Sequence, residues 1–95
     1  MIITLCGSTK FKYDFFDVAK ELTLKGNIVL MPFVFAHSGD IINNIDKIFL
    51  DELHLEKINI SDAIFVINKD NYIGDSTSRE INYAKTVNKK IFYLE

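Results

Sequence analysis

Glu80 is the residue best placed in this chain to do covalent chemistry. It follows Tyr72-Ile73-Gly74-Asp75-Ser76-Thr77-Ser78-Arg79, a Gly/Ser-rich stretch that leaves the apolar run Ala63 to Asn68 and opens a helix. A strand that empties into such a turn and then a helix presents backbone N–H groups to an anion. Gly74, Ser76 and Ser78 could line a phosphate or sugar cradle there, with Tyr72 free to stack on a base and a carboxylate at the edge. The same residues also read as a capping box. In Thr77-Ser78-Arg79-Glu80 the glutamate would bond back to the Thr77 N–H. A carboxylate folded onto a cap is not available to a substrate, so the two roles compete.

A second constellation is Gly7-Ser8-Thr9-Lys10, directly after the first apolar run. Glycine permits close backbone approach, Ser8 and Thr9 can cap a helix or bind oxygen, and Lys10 can pair with a phosphate; an ordinary strand-to-helix turn uses the same residues. Neither GxGxxG nor GxxxxGK[ST] occurs, which disfavours NAD chemistry and a Walker-type ATPase. His37 and Asp40 lie in a polar loop, and His54 lies within a helical pattern near Asp51 and Glu52. Two distant histidines without a matching cysteine pattern do not spell a metal site, and none is expected. Cys6 reads as a small buried hydrophobe, and Asp62 as a turn or capping residue at the end of the sheet away from these loops.

The elements that must position these residues follow from periodicity. Ile2 to Cys6, Ile28 to Phe33, Ala63 to Ile67 and Lys90 to Leu94 are short, nearly continuous apolar runs, as in strands buried on both faces. Between them, Lys10 to Lys25, Asn44 to Ile60 and Thr77 to Asn88 carry apolar residues at helical spacing. The Gly26-Asn27 pair is a stop signal for the first helix. The order βαβαβαβ predicts one α/β domain over residues 1–95, a three-layer Rossmann-like (flavodoxin-like) fold. Right-handed crossovers favour a four-stranded parallel sheet of order 2-1-3-4. Ligands then bind beyond the carboxyl ends of strands one and three, where the winding reverses. The loops at Gly7, Val34 and Asp70 share that rim.

Composition narrows the partners. At 95 residues the chain builds only a small core, so a self-associating surface is a natural supplement; Ile45, Ile48, Phe49 and Leu53 on the second helix could supply a dimer face. A net charge of −2 with interspersed signs gives no footprint for duplex nucleic acid. No run approaches the ~20 apolar residues of a membrane span. A single cysteine and the lack of a leader-like start fit a cytoplasmic protein.

Taken together, Leu5-Cys6-Gly7-Ser8-Thr9-Lys10, the run Ser61-Asp62-Ala63-Ile64-Phe65-Val66-Ile67, and then Gly74, Ser76 and Glu80 resemble the nucleoside 2-deoxyribosyltransferase superfamily. The pattern is most similar to its 2'-deoxynucleoside 5'-phosphate N-hydrolase branch. The resemblance implies cleavage of the N-glycosidic bond of a nucleoside or its 5'-monophosphate, with Glu80 attacking C1' and water or a second base completing hydrolysis or transfer. It also implies that Gly7, Ser8, Lys10, Ser76 and Ser78 hold the 5' end of the sugar, with no cofactor. His54 stands where the family supplies an aspartate, and a histidine there could act as a general acid. The sequence also stops after the fourth predicted strand, without the segment that completes a neighbouring subunit's site in the family. A non-catalytic nucleotide-binding or sensor module is the alternative expectation.

Overall fold

Ile2–Gly7 form β1 at the centre of the sheet, in a computed structural model that describes residues 1–32 and 43–95. The other elements are α1 (Lys12–Leu24), β2 (Ile28–Leu30), α2 (Asn44–Ile60), β3 (Ala63–Ile67), α3 (Asp75–Thr86) and β4 (Lys90–Tyr93). All four strands run parallel in the order β2-β1-β3-β4, with Ile2 opposite Ile28, Ile3 opposite Ala63 and Ala63 opposite Lys90.

The continuous apolar runs are explained by burial on both faces. Alternate side chains of a strand point to opposite sides. Thus Ile3, Leu5, Ala63 and Ile67 pack with Phe15 and Val18 of α1, whereas Cys6, Ile64 and Val66 pack with Ile58 of α2 and Ile81 and Ala84 of α3. Thr4 shares the second face. Its Oγ1 lies 2.6 Å from Ser61 Oγ in the interior, and Ser61 Oγ donates its proton to the Lys57 carbonyl at 2.7 Å. Thr4 is therefore the donor to Ser61, and this chain of bonds fastens the end of α2 to the central strand.

Two helices end as their sequences require. Gly26 (φ 94°) follows α1, and the Asn27 and Gly26 N–H groups bond to the Leu22 and Thr23 carbonyls. Asn88 (φ 59°) does the same after α3, with Lys89 and Asn88 bonding to Ala84 and Lys85. Both are Schellman closures, one with glycine and one with asparagine in the left-handed position. At the amino edge of the sheet, Asp62 Oδ2 accepts from the Ile2 N–H at 2.7 Å, and the Asp62 N–H bonds to the Ile2 carbonyl at 2.8 Å.

Several boundaries depart from expectation by one to three residues, the first helix starting at Lys12 and the third ending at Thr86, and two of them bear on the site. The second strand ends at Leu30 rather than Phe33: Pro32 has no N–H for the ladder, and the Met31 carbonyl accepts from Lys57 Nζ at 2.8 Å. The third helix begins at Asp75 rather than Thr77, with Gly74 as N-cap. The loop containing Phe33, Phe35, His37 and Asp40 lies outside the described residues. Among the described residues, no helix is long and apolar enough to cross a membrane.

Candidate functional site

β1 and β3 both deliver their carboxyl ends to one edge, and the chain then turns to opposite faces, to α1 after β1 and to α3 after β3. This is the switch point of a doubly wound sheet, where a crevice is unavoidable. A cavity of about 490 Å³ occupies it, a size suited to a nucleoside-scale ligand.

Three walls converge there. Gly7, Ser8 and Thr9 form the first. Gly7 has no substitute at its position: an added Cβ would stand 2.8 Å from the Ile67 carbonyl oxygen and 2.9 Å from Ile67 Cβ. Ser8 caps the following 3-10 turn (Thr9–Phe11), its Oγ accepting from the Lys10 N–H at 3.4 Å. The second wall is the face of α2 carrying Lys47, Asp51, His54 and Lys57, which recur at helical spacing. Lys47 Nζ and Asp51 Oδ2 pair at 3.0 Å across one turn. The third wall is the start of α3, where Gly74 to Thr77 line the cavity and no side chain caps the helix. Its first N–H groups, which have no partner within the helix, are directed at this edge.

Glu80 also lines the cavity. With Gly74 as N-cap, Thr77 falls inside the first turn and is buried, so the expected capping box does not form. The carboxylate instead lies beside two other buried groups. Glu80 Oε1 is 3.8 Å from His54 Nε2, and His54 Nε2 is 3.6 Å from Cys6 Sγ. One ligand atom from each of the three falls within 4.8 Å of the others. Their donor types, a thiol, an imidazole and a carboxylate, suit a borderline-soft transition metal.

Burial sets the charge states of this cluster. Desolvation raises Glu80 from 4.5 to about 7, with the Asp51 charge adding to the rise and Cys6, Arg79 and Lys47 opposing it. Desolvation likewise raises the Cys6 thiol well above its ordinary range, helped by the charge of Glu80. His54 moves the other way, from 6.5 to about 4, because burial and the nearby Lys57 charge disfavour imidazolium more than Asp51 and the Leu5 carbonyl favour it. Its Nδ1 is buried without a hydrogen-bond partner, so the pull of the Leu5 carbonyl is not a bond that satisfies that atom. At neutral pH His54 is uncharged and holds no extra proton to give. The uncharged form bears directly on the general-acid role expected of it.

Lys10 is also displaced from its expected place. Its Nζ sits 3.6 Å from the centroid of the Tyr72 ring and 5.2 Å from that of Phe11, a cation–π contact outside the cavity lining. Tyr72 itself lines the cavity and meets Phe11 edge-on, with centroids 6.0 Å apart at 80°. Ser76 lines the cavity too, its Oγ 3.4 Å from Arg79 Nη2, whereas Ser78 is exposed and off the lining. The rim thus unites Gly7, Ser8, Thr9, Tyr72, Gly74, Ser76, His54 and Glu80, and leaves out Lys10 and Ser78. His37 and Asp40 lie outside the described residues.

Sequence reasoning missed Cys6, Lys47, Asp51 and Lys57 as members of the site. A signal existed for each. Strand parity puts Cys6 on the face opposite Leu5, and the three α2 residues share the stripe of His54. No protein-family model matches the chain, and no curated protein matches it significantly.

Proposed function

We propose that the protein binds a nucleoside or its 5'-monophosphate at this edge and cleaves the N-glycosidic bond through Glu80. One observation carries the reading. The Glu80 carboxyl group is turned into the cavity beside an uncapped helix N-terminus instead of being spent on a cap. The α3 N–H groups and Ser8 suit the 5' oxygens of a sugar phosphate, and the half-exposed Tyr72 ring on the lining suits a base.

In the chemical step a Glu80 oxygen bonds to C1' while the C1'–N bond breaks and its electron pair leaves on the base nitrogen. Water, or the nitrogen of a second base, then displaces the carboxylate from C1' and regenerates it. A largely desolvated carboxylate is a stronger nucleophile than a hydrated one, and it must first lose its proton, so activity rises with pH through about 7. Neutral His54 packs beside the carboxylate, with Nε2 3.8 Å from Oε1.

The test is base release from a panel of deoxynucleosides and their 5'-monophosphates, for wild type and Glu80→Gln. Release by the wild type alone is expected. Binding of the panel with no release from any member would leave a non-catalytic nucleotide-binding module as the better account. A homodimer is part of the same reading, supported by the apolar, exposed Ile45, Ile48 and Phe49 on α2. Sedimentation of a monomer at micromolar concentration would remove it.

A further inference from the structure

The buried cluster is joined through its thiol, which faces both His54 Nε2 and the Glu80 carboxylate, and not by a short bond between imidazole and carboxylate. His54 Nε2 and Glu80 Oε1 are 3.8 Å apart, beyond hydrogen-bonding distance, and Cys6 Sγ to His54 Nε2 at 3.6 Å is a weak thiol contact. Groups this polar and this buried should pair tightly or meet a common partner. Bond lengths of about 2.0–2.3 Å to a tetrahedral zinc ion place neighbouring ligand atoms about 3.3–3.6 Å apart. The 3.6 and 3.8 Å separations at His54 are at or near that range and the third lies within 4.8 Å, on side chains fixed by three different elements: β1, α2 and α3.

We propose that Cys6 Sγ, His54 Nε2 and Glu80 Oε1 form a three-ligand site for a zinc-like divalent cation, with its fourth position facing the cavity.

The charges balance. A thiolate and a carboxylate neutralise a divalent ion, so the loaded cluster carries no net charge into the interior, whereas either anion alone would be costly there. On loading, the Cys6 thiol gives up its proton to the buffer, and a protonated Glu80 does the same. His54 offers the lone pair of Nε2, the ring nitrogen that faces both Cys6 and Glu80. His54 and Glu80 both border the cavity while Cys6 lies behind them, so the open position points to the space a ligand would fill. A metal held there engages the same carboxylate that the proposed reaction uses. The loaded protein would therefore release no base, although the metal site does not depend on that reaction being real.

The experiment uses the full chain, stripped with chelator, reduced, and titrated with Co²⁺ under argon. Expected is a saturable one-to-one spectrum with the strong d–d bands of four-coordinate cobalt and a thiolate-to-cobalt charge-transfer band, both abolished by added Zn²⁺. Cys6→Ser should lose the charge-transfer band, and Glu80→Gln and His54→Gln should each weaken Co²⁺ binding at least tenfold. Far-UV circular dichroism confirms that each variant is folded. Saturating Zn²⁺ should raise the melting temperature of wild type and leave that of folded Cys6→Ser unchanged. A weak six-coordinate spectrum, or equal affinity in wild type and the folded Cys6→Ser protein, would overturn the proposal. The readout is independent of turnover: a metal-free protein that releases no base, yet gives the cobalt spectrum once loaded, refutes only the glycosidase reading, and an active one that never gives the spectrum refutes only the metal site.

Discussion

Glu80→Gln should stabilise the metal-free protein, and by an amount that depends on pH in a defined way. The carboxyl pKa is 4.5 in ordinary surroundings and about 7 in the fold. Below pH 4.5 the acid is protonated in both states and glutamine mimics it closely. Between 4.5 and 7 the unfolded chain has lost the proton while the folded one keeps it, so wild-type stability falls as pH rises. Above 7 the folded protein carries the charge at full cost and the difference is flat. A separation of 2.5 units at ~1.4 kcal/mol each sets the plateau at about 3 kcal/mol in favour of the variant. The Glu80 side chain is only 17% exposed, so solvent screening takes away little of it. The His54 contribution has the opposite sign, stability being lost as pH falls from 6.5 towards 4. Because His54 lies 3.8 Å from Glu80, the comparison is read above pH 6.5, where His54 is neutral in both proteins, for the plateau, and below it for the combined effect. Urea unfolding of chelator-treated wild type and Glu80→Gln at pH 4 to 9 measures the curve. A difference that stays constant across that range would refute the claim that Glu80 is desolvated in the cavity wall.

Other perturbations probe separate parts of the frame. Gly7→Ala should destabilise by roughly 1–3 kcal/mol in denaturant titration, because the new methyl meets the Ile67 backbone rather than a movable side chain. Thr4→Val removes the donor to Ser61 and should cost about 1–2 kcal/mol by the same measurement. Asn88→Gly relieves a left-handed backbone position and should raise stability by a few tenths to about 1 kcal/mol, seen as a higher melting temperature. Lys10→Ala should change nucleotide affinity less than tenfold in calorimetry, since the ammonium rests on Tyr72 outside the cavity.

The layout was readable because burial on both faces writes itself into unbroken apolar runs. Ala63–Ile67 and Asn44–Ile60 match their predicted limits, and the sheet order follows from handed crossovers. The start of α3 was harder. Gly74 caps the helix with its backbone alone, while Thr77 and Glu80 spell a cap that goes unused. The site was legible in its loops and not in its depth. Gly7, Ser8, Gly74 and Ser76 declare themselves by type, but the environment of Glu80 depends on Cys6 and His54, which are brought to it only by tertiary packing. The resting place of Lys10 was hidden for a related reason: its ammonium lies on the Tyr72 ring, and no spacing rule reveals a partner that far along the chain.

The chain's single cysteine, Cys6, lies fully buried in the central strand. A thiol-labelling reagent can therefore reach the protein only when the α2 and α3 side chains packed over Cys6 lift from the sheet. The labelling half-life becomes a clock for that opening of the helix layer, and no engineered probe is needed to read it. Fraying at β2 or β4 would leave the clock unmoved.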